Sequence, residues 1–308
     1  MSRTRKDYGG EEGIKFNSML IKLLSKLDSS DFRRKYILPR AYNNRHHINL
    51  ELGRYDNALS DLDQAIKLTQ DEEYKELLYG SKPIIYERSG QKHLAIKARS
   101  ELIDMYPNKH ENYTLRGHSY NTSQQPGKAL EDFLKVIELG SKNANSYNNV
   151  ASAYDLLDEK DLAMKYIERA LDIDPNHLGS LRRKASLMSA IPGKESIALD
   201  IAYKANKLST EYDEMRLQSL NLIATINLRI NNLPAAAKAL REMKSHWPNS
   251  HKYLSSSAEY FYQNNQLKKA IRQLSNSINT NPPEYSLPGL HGRRGIYWQN
   301  LKEYDEAI

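Results

Sequence analysis

Cysteine is absent from this chain of 308 residues, and its absence excludes disulfide bonds and thiolate metal sites. Long apolar runs are also missing, since no stretch approaches the roughly 20 apolar residues of a membrane-spanning helix. The first residues lack the pattern of a signal peptide, so the expected location is cytoplasmic. No GxxxxGK[ST], HExxH or GxSxG motif occurs. We therefore expect a non-enzymatic protein without catalytic residues, metal or cofactor.

Basic charge is concentrated near the start of the chain. Residues 1–40 contain ten Lys/Arg and five Asp/Glu, for a net charge of +5, whereas the whole chain carries +7. The remaining residues therefore sum to only +2. Because a nucleic-acid surface needs basic charge along its length, this balance argues against a nucleic-acid-binding repeat protein. The sequence pI of 9.2 keeps that function as an alternative.

A long period fills most of the chain. Successive anchor alanines lie 37, 34, 34, 35, 38, 34 and 37 residues apart. Regular self-similarity at this spacing indicates a repeat protein rather than one globular core. The anchors are Ala58, Ala95, Ala129, Ala163, Ala198, Ala236, Ala270 and Ala307.

Residues around the anchors recur as well. Twelve positions before the anchor stand the small residues Gly117, Ala151, Ser186, Ala224, Ala258 and Gly295. Nine positions before it stand the aromatic residues Tyr86, Tyr120, Tyr154, Phe261 and Trp298. These offsets share one face of a helix of period 3.6, as do the anchor and its apolar +4 and +7 positions. Helix-breaking residues such as glycine, proline and asparagine lie between the positions before the anchor and the anchor itself. Each repeat is therefore predicted to consist of a helix, a turn and a second helix.

This pattern resembles the tetratricopeptide repeat (TPR) family. The resemblance extends over about residues 39–308 and implies an all-α fold, a right-handed superhelical solenoid of antiparallel helix pairs with about seven and a half repeats. First helices would line its concave face. The best-matching repeat, residues 144–177, carries Tyr147, Ala151, Tyr154, Ala163, Ile167, Ala170 and Pro175 at family positions.

Two repeats fit the pattern least. Residues 76–109 carry Pro83 inside the predicted first helix, where proline kinks or shortens a helix. Residues 178–215 have longer connections and lack the aromatic positions. We expect irregular stacking at both.

The two ends differ from the repeats. Residues 1–38 are predicted to form a basic segment with a flexible start, and the amphipathic stretch 14–27 a helix that caps the first repeat. Its alternative function is binding of an anionic membrane or a partner through a basic stripe of Lys22 and Lys26. The 39–308 solenoid ends one turn into a predicted second helix. Truncation of the natural chain, or an interface such as an oligomer contact, would account for that uncapped end.

The predicted concave face is the candidate binding site. Positions fifteen and eleven before each anchor point into it, and they are mostly polar and uncharged, as suits pairing with a peptide backbone. Candidates at these and adjacent positions are Thr114, His118, Asn145, Asn148, Asn149, Ser152, Arg182, Arg183, Asn221 and Thr225. One TPR subgroup clamps the C-terminal carboxylate of chaperones with five Lys, Asn and Arg residues. Only Asn149 and Arg183 match that clamp, so the resemblance implies an incomplete one.

Three functions compete on these observations. The repeats that fill the chain favour a scaffold that binds a protein or peptide partner in the groove. The second alternative is a regulatory or substrate-recognition arm of a larger enzyme, truncated at residue 308. The third is a nucleic-acid-binding solenoid.

Overall fold

The computed structural model describes residues 2–210 and 214–307, without the side chains of residues 2–9, 285 and 303–307. Every regular element in these ranges is helical. The chain divides into two compact units, residues 1–142 and residues 143–308. The last anchor alanine, Ala307, is in a described helix, but its side chain and Ile308 lie outside the described residues.

Unit 1 contains an N-terminal helix and three helix pairs. A π-helical turn, Arg33–Ile37, precedes the second helix. Within the unit, α2 packs on α3, α4 on α5 and α6 on α7, and each pair also contacts the next. The helices are α1 (Ser2–Leu24), α2 (Leu38–Glu51), α3 (Tyr55–Leu68), α4 (Glu72–Arg88), α5 (Lys92–Met105), α6 (His110–Thr122) and α7 (Pro126–Glu138).

Unit 2 contains four helix pairs and a last long helix. The first helices of its pairs also contact one another, α8 with α10, α10 with α12 and α12 with α14. They therefore line one common face. The helices are α8 (Ala144–Leu156), α9 (Lys160–Ile173), α10 (Leu178–Ser189), α11 (Glu195–Leu208), α12 (Glu214–Arg229), α13 (Leu233–His246), α14 (His251–Gln263), α15 (Leu267–Asn279) and α16 (Leu287–Ala307).

The anchor alanines are the points of closest helix packing. The seven whose side chains are described are at most 1% exposed. The small residues twelve positions earlier explain how close the helices come. A Cβ added to Gly117 would lie 2.5 Å from the Phe133 ring of the following helix. In the first repeat His46 takes this place and is fully buried, with Nδ1 3.1 Å from the carbonyl oxygen of Ala58.

The turn inside each repeat has one backbone signature. The residue five before each of the first seven anchors adopts positive φ, from +56° to +81°. In six of these turns the N–H four before the anchor donates to the carbonyl nine before it, at 2.8–2.9 Å. This bond ends the first helix in the manner of a Schellman cap. The positive-φ residues are Gly53, Gly90, Gln124, Asp158, Gly193, Asn231 and Asn265.

The start of the chain is helical where we predicted flexibility. Helix α1 begins at Ser2 instead of residue 14, while Met1 lies outside the described residues. Two glycines of α1 serve helix packing. A Cβ on Gly13 would lie 2.7 Å from the Ile48 side chain of α2, and one on Gly10 would lie 3.2 Å from Leu52. Small residues on α1 therefore let it approach α2 closely.

Two further expectations are corrected. Helix α4 runs through Pro83 over 17 residues, so the proline does not shorten it. The turn predicted before Ala307 is not formed either, because α16 continues to that residue as a single helix. Lys302 stands five before this anchor, where the other repeats place the left-handed residue of the turn. Without a turn residue there, a strong helix former continues the helix.

Candidate functional site

The common face of the first helices in unit 2 holds an open groove of about 680 Å³. Its floor comes from α8, α10 and α12, with one residue of α14 at the edge. Polar side chains dominate it, and apolar atoms are contributed mainly by Met215 and Leu222. The lining residues are Asn148, Asp155, Gly179, Arg182, Arg183, Ser186, Met215, Gln218, Asn221, Leu222, Thr225 and Lys252.

Arg182 is the central cation of the groove. Its only hydrogen-bond partner among the described residues is the sulfur of Met215, 3.5 Å from Nη1. Burial, and secondly the charge of Arg183, lower the pKa of Arg182 to about 10, so the side chain stays charged at neutral pH. The Glu214 carboxylate opposes this shift, but it pairs with Lys252 at 2.5 Å rather than with Arg182. A partly buried charge whose countercharge is incomplete costs free energy. An anionic ligand would therefore be stabilised at this position.

Arg183, next to Arg182 in the chain, differs from it by having a carboxylate partner. Its Nη1 donates to Asp155 Oδ2 at 3.0 Å, across α8 and α10. Burial lowers the pKa of Arg183, and the Asp155 carboxylate opposes that shift. The Nε atom is buried and has no hydrogen-bond partner in the part of the chain that the structure describes. Arg183 is thus anchored by one carboxylate, while its Nε is enclosed without a partner.

Two asparagines present their amide groups to the groove with fixed orientation. Ser256 Oγ donates to Asn221 Oδ1 at 2.8 Å, and Ser180 Oγ lies 3.4 Å from Asn148 Oδ1. Both carbonyl oxygens thus face serine hydroxyls of the next first helix. The amide nitrogens are then the groups available to accepting atoms such as peptide carbonyls. Together with the arginines, they make the lining rich in donors.

The groove continues along unit 2 toward α16. Asn221, Thr225 and Lys252 are shared with a second depression of about 250 Å³, which Ser255 and Arg293 also line. A third depression, of about 260 Å³, shares Thr225 and Arg293 and adds Arg229 and Glu259. We call these three depressions together the unit 2 groove. Its strong bases are Arg182, Arg183, Arg229, Lys252 and Arg293, and its acids are Asp155 and Glu259.

Charge partners inside the groove offset part of this positive charge. Lys252 Nζ lies 2.5 Å from Glu214 Oε1, and both side chains are partly exposed. Arg293 Nη2 donates to Ser255 Oγ at 2.7 Å, which is a neutral partner. The Glu259 carboxylate accepts the hydroxyl of Tyr297 at 2.6 Å. The groove therefore keeps a basic balance, although the repeats as a whole are nearly neutral.

The predicted site residues of unit 2 fall into three groups. Asn148, Arg182, Arg183, Asn221 and Thr225 line the groove. Asn145 lies at the exposed start of α8, where its Oδ1 is 2.9 Å from His177 Nε2. The other predicted residues of unit 2, Asn149 and Ser152, are partly buried and do not line it.

The remaining two candidates, Thr114 and His118, belong to unit 1. Thr114 Oγ1 donates to the carbonyl of His110 in its own helix at 3.1 Å. The His118 ring meets the Phe133 ring edge-on, with centroids 5.3 Å apart. Both side chains therefore make contacts within unit 1 that packing explains.

Sequence reasoning missed the residues one turn beyond its two chosen offsets. Gln218 and Lys252 each stand eighteen before an anchor, and Asp155 and Arg229 stand eight and seven before one. Side chains three or four residues apart share a helix face, so these offsets extend the −15 and −11 positions at both ends. Including them would have predicted a charged groove instead of a mostly uncharged one.

No cluster of three or more histidine, aspartate or glutamate side chains suited to hold a metal ion occurs within residues 2–210 and 214–307. No helix in these ranges combines the length and apolar character needed to cross a membrane.

The helix pairs, their packing alanines and their turns define a chain of TPR architecture. The family model described as tetratricopeptide repeat matches residues 39–72 and 144–177. Solved structures show the same fold. A TPR protein from Parabacteroides merdae superposes with a TM-score of 0.67 at 11% identity, covering 82% of this chain and 96% of that one. Yeast Tom70 gives 0.62 at 17% identity, covering 96% and 61%. The APC/C hetero-tetramer Cut9-Hcn1 gives 0.62 at 15% identity, covering 92% of this chain and 54% of that one.

Two curated human proteins are similar in sequence. Mitochondrial import receptor subunit TOM70 is 25% identical over 185 residues, which are 56% of this chain and 29% of TOM70. Protein O-mannosyl-transferase TMTC3 is 32% identical over 113 residues, which are 36% of this chain and 12% of that protein. The chain thus matches less than a third of either relative. These likenesses support a protein-interaction scaffold in general terms.

Proposed function

We propose that the unit 2 groove binds an extended, acidic peptide segment of a protein partner. The observation that carries this proposal is Arg182, a partly buried cation whose only hydrogen-bond partner among the described residues is a thioether sulfur. The carboxylate that acts on it, Glu214, pairs with Lys252. A ligand carboxylate would supply a directly bonded countercharge, and hydrogen bonds to charged groups contribute roughly 1.5–3 kcal/mol. The protein acts as a scaffold in this proposal and needs no chemistry of its own.

The shape and donors of the groove support an extended segment. Three connected depressions run over four first helices, and Asn148 and Asn221 direct amide nitrogens into them. A backbone that follows this path offers carbonyl oxygens to the amides and acidic side chains to the arginines. Length and charge are therefore both part of the recognition.

A single-stranded nucleic acid fits the same charge less well. Proteins that bind single strands stack bases on aromatic rings within a basic channel. None of the described residues that line the three depressions is Phe, Tyr or Trp, and His251 supplies the single ring. The lining therefore favours a peptide, and an oligonucleotide serves as the competitor that tests this choice.

The test measures fluorescence anisotropy with a labelled acidic peptide of about twelve residues and with its lysine-substituted counterpart. The full chain should bind the acidic peptide more tightly, and Arg182→Ala should weaken that binding by roughly tenfold to a hundredfold. Arg241→Ala is the matched control, since this exposed arginine lies on α13, away from the groove. Equal affinity of the two peptides, equal effects of both variants, or displacement by oligothymidine alone would contradict the proposal.

The match with a transferase favours a second candidate, in which the same groove belongs to a substrate-recognition arm of a larger enzyme. The peptide segment would then be a substrate. An antibody raised against residues 39–308 would detect the endogenous protein, and its intact mass and peptide map would show whether a catalytic domain is attached. A mass equal to that of this chain, 35.5 kDa, would rule this candidate out.

A further inference from the structure

The outer face of α1 carries apolar side chains that the fold leaves exposed. Phe16, Met19 and Leu23 are 66%, 73% and 62% exposed, although they are large and apolar. Their i, i+3, i+7 spacing places them on one side of the helix. We call these three residues the α1 face. Contiguous apolar surface of this kind marks an interaction site more often than scattered exposed residues do.

The cap that α1 provides does not use this face. Ile21 and Leu24 on the other side of the helix are buried against Leu38 and Ala41. Asn17 is also buried, and its side-chain amide donates to the carbonyl of Gly13 at 2.8 Å. The packing on α2 is therefore complete without Phe16, Met19 and Leu23, so capping does not account for them.

Lysines border the α1 face. Lys22 and Lys26 line the same shallow depression, of about 500 Å³, as the three apolar residues. Both are exposed, and neither forms an ion pair with any described residue. The repeats show many lysines in ion pairs, such as Lys82 with Asp63 at 2.8 Å. Free positive charge beside apolar surface is complementary to a surface that is both apolar and anionic.

We propose that the α1 face docks on an anionic phospholipid bilayer surface, with the helix axis parallel to the membrane. Five of the six lining residues of the depression belong to α1, and the sixth, Lys26, lies in the turn directly after it. The surface is therefore an open ridge rather than a groove between two helices that could seat a partner helix. A planar surface fits such a ridge. The apolar side chains enter the boundary between headgroups and acyl chains, and Lys22 and Lys26 meet lipid phosphates and carboxylates.

The test is flotation of the full chain with vesicles of phosphatidylcholine containing about 30% phosphatidylserine, a composition that supplies an anionic surface. Binding should fall at least about tenfold in Phe16→Glu/Leu23→Glu, because the apolar insertion is lost. Leu77→Glu/Ile84→Glu is the matched control, since these residues of α4 are 64% and 42% exposed and lie outside α1. It should float like the wild-type chain.

The charge contribution has its own pair of variants. Lys22→Glu/Lys26→Glu should also lower binding about tenfold or more, and added salt should weaken the wild-type interaction. Lys67→Glu/Lys97→Glu makes the same charge change at exposed positions of α3 and α5 and should have little effect. All substituted positions are exposed, so thermal unfolding followed by circular dichroism should match the wild-type curve.

The proposal fails if the wild-type chain does not float with the anionic vesicles. That result is expected if the α1 face binds an acidic protein instead of a membrane. It also fails if neutral vesicles bind it equally, or if the α1 variants float as well as their controls. These outcomes do not depend on the unit 2 groove, which the flotation variants leave intact.

Discussion

The contact between Gly117 and Phe133 makes a sharp prediction about how the helix pairs are held together. In Gly117→Ala the new methyl group would lie 2.5 Å from Phe133 Cε1 and 2.9 Å from Cδ1 and Cζ. The ring is only 1% exposed and cannot swing into solvent. Overpacking of this kind costs roughly 1–3 kcal/mol, while the higher helix propensity of alanine offsets about 1 kcal/mol. We expect a net loss of about 0–2 kcal/mol in the free energy of unfolding.

Gly80→Ala is the matched control for this substitution. Gly80 is also inside a first helix of unit 1, but a Cβ there would meet nothing within 4 Å. It should stabilise the chain by about 0.5–1 kcal/mol, because only the propensity changes. Urea unfolding of the full chain followed by circular dichroism measures both, and Phe133→Leu in the Gly117→Ala background should restore part of the loss. The packing argument is refuted if Gly117→Ala and Gly80→Ala stabilise equally.

Three further predictions concern stability. Burial lowers the pKa of His46 to about 4, so the unfolded state binds more protons than the folded state between about pH 4 and 6.5. As the pH is lowered through that window, the free energy of unfolding should therefore fall by on the order of 1–3 kcal/mol. His46→Ala should flatten this pH profile. Asp158 adopts φ +65°, so Asp158→Gly should raise the thermal unfolding midpoint by relieving about 1 kcal/mol of strain. The Arg116–Asp132 pair at 2.7 Å is half-buried, so Asp132→Ala should cost about 2 kcal/mol in chemical unfolding.

Each of these three has an outcome that would contradict it. An unchanged pH profile in His46→Ala would assign the acid sensitivity to other histidines, since the pKa values of His118, His177 and His251 are also lowered. A lower midpoint for Asp158→Gly would mean that the aspartate makes a compensating contact. For the ion pair, Asp132→Ala should lower the free energy of unfolding more than Glu138→Ala does. Glu138 pairs with Lys135 at 2.8 Å on the exposed surface, where an ion pair contributes little. Equal losses in the two variants would contradict the prediction.

The repeat architecture could be predicted from the sequence because the recurring small residues mark the contacts between helices. Where two helices cross, only a small residue fits, and this requirement returned with each repeat. The prediction lost register where connections changed length. In α10 the buried small residue is Ala185 rather than Ser186, and in α16 Tyr297 is buried while Trp298 is 56% exposed. Tyr297 instead stacks on Tyr262 with centroids 4.3 Å apart.

The charge of the groove could not be predicted from composition. A net charge of +2 over the repeats averages over all faces, whereas the acids and bases are sorted by face in the structure. Several acids pair with bases elsewhere, as Asp61 does with Arg45 at 2.6 Å. Arg182 has no such partner among the described residues, and only the arrangement of α10 against α12 shows this.

The central claim is that an acidic segment binds in the unit 2 groove, and site-specific photo-crosslinking tests it most directly. A benzophenone side chain would replace Gln218, which lines the groove, or Lys165, which is exposed on the second helix α9. The account predicts that the acidic peptide crosslinks from position 218 and not from position 165, and that Arg182→Ala abolishes the product. Crosslinking from position 165 with none from position 218 would contradict it.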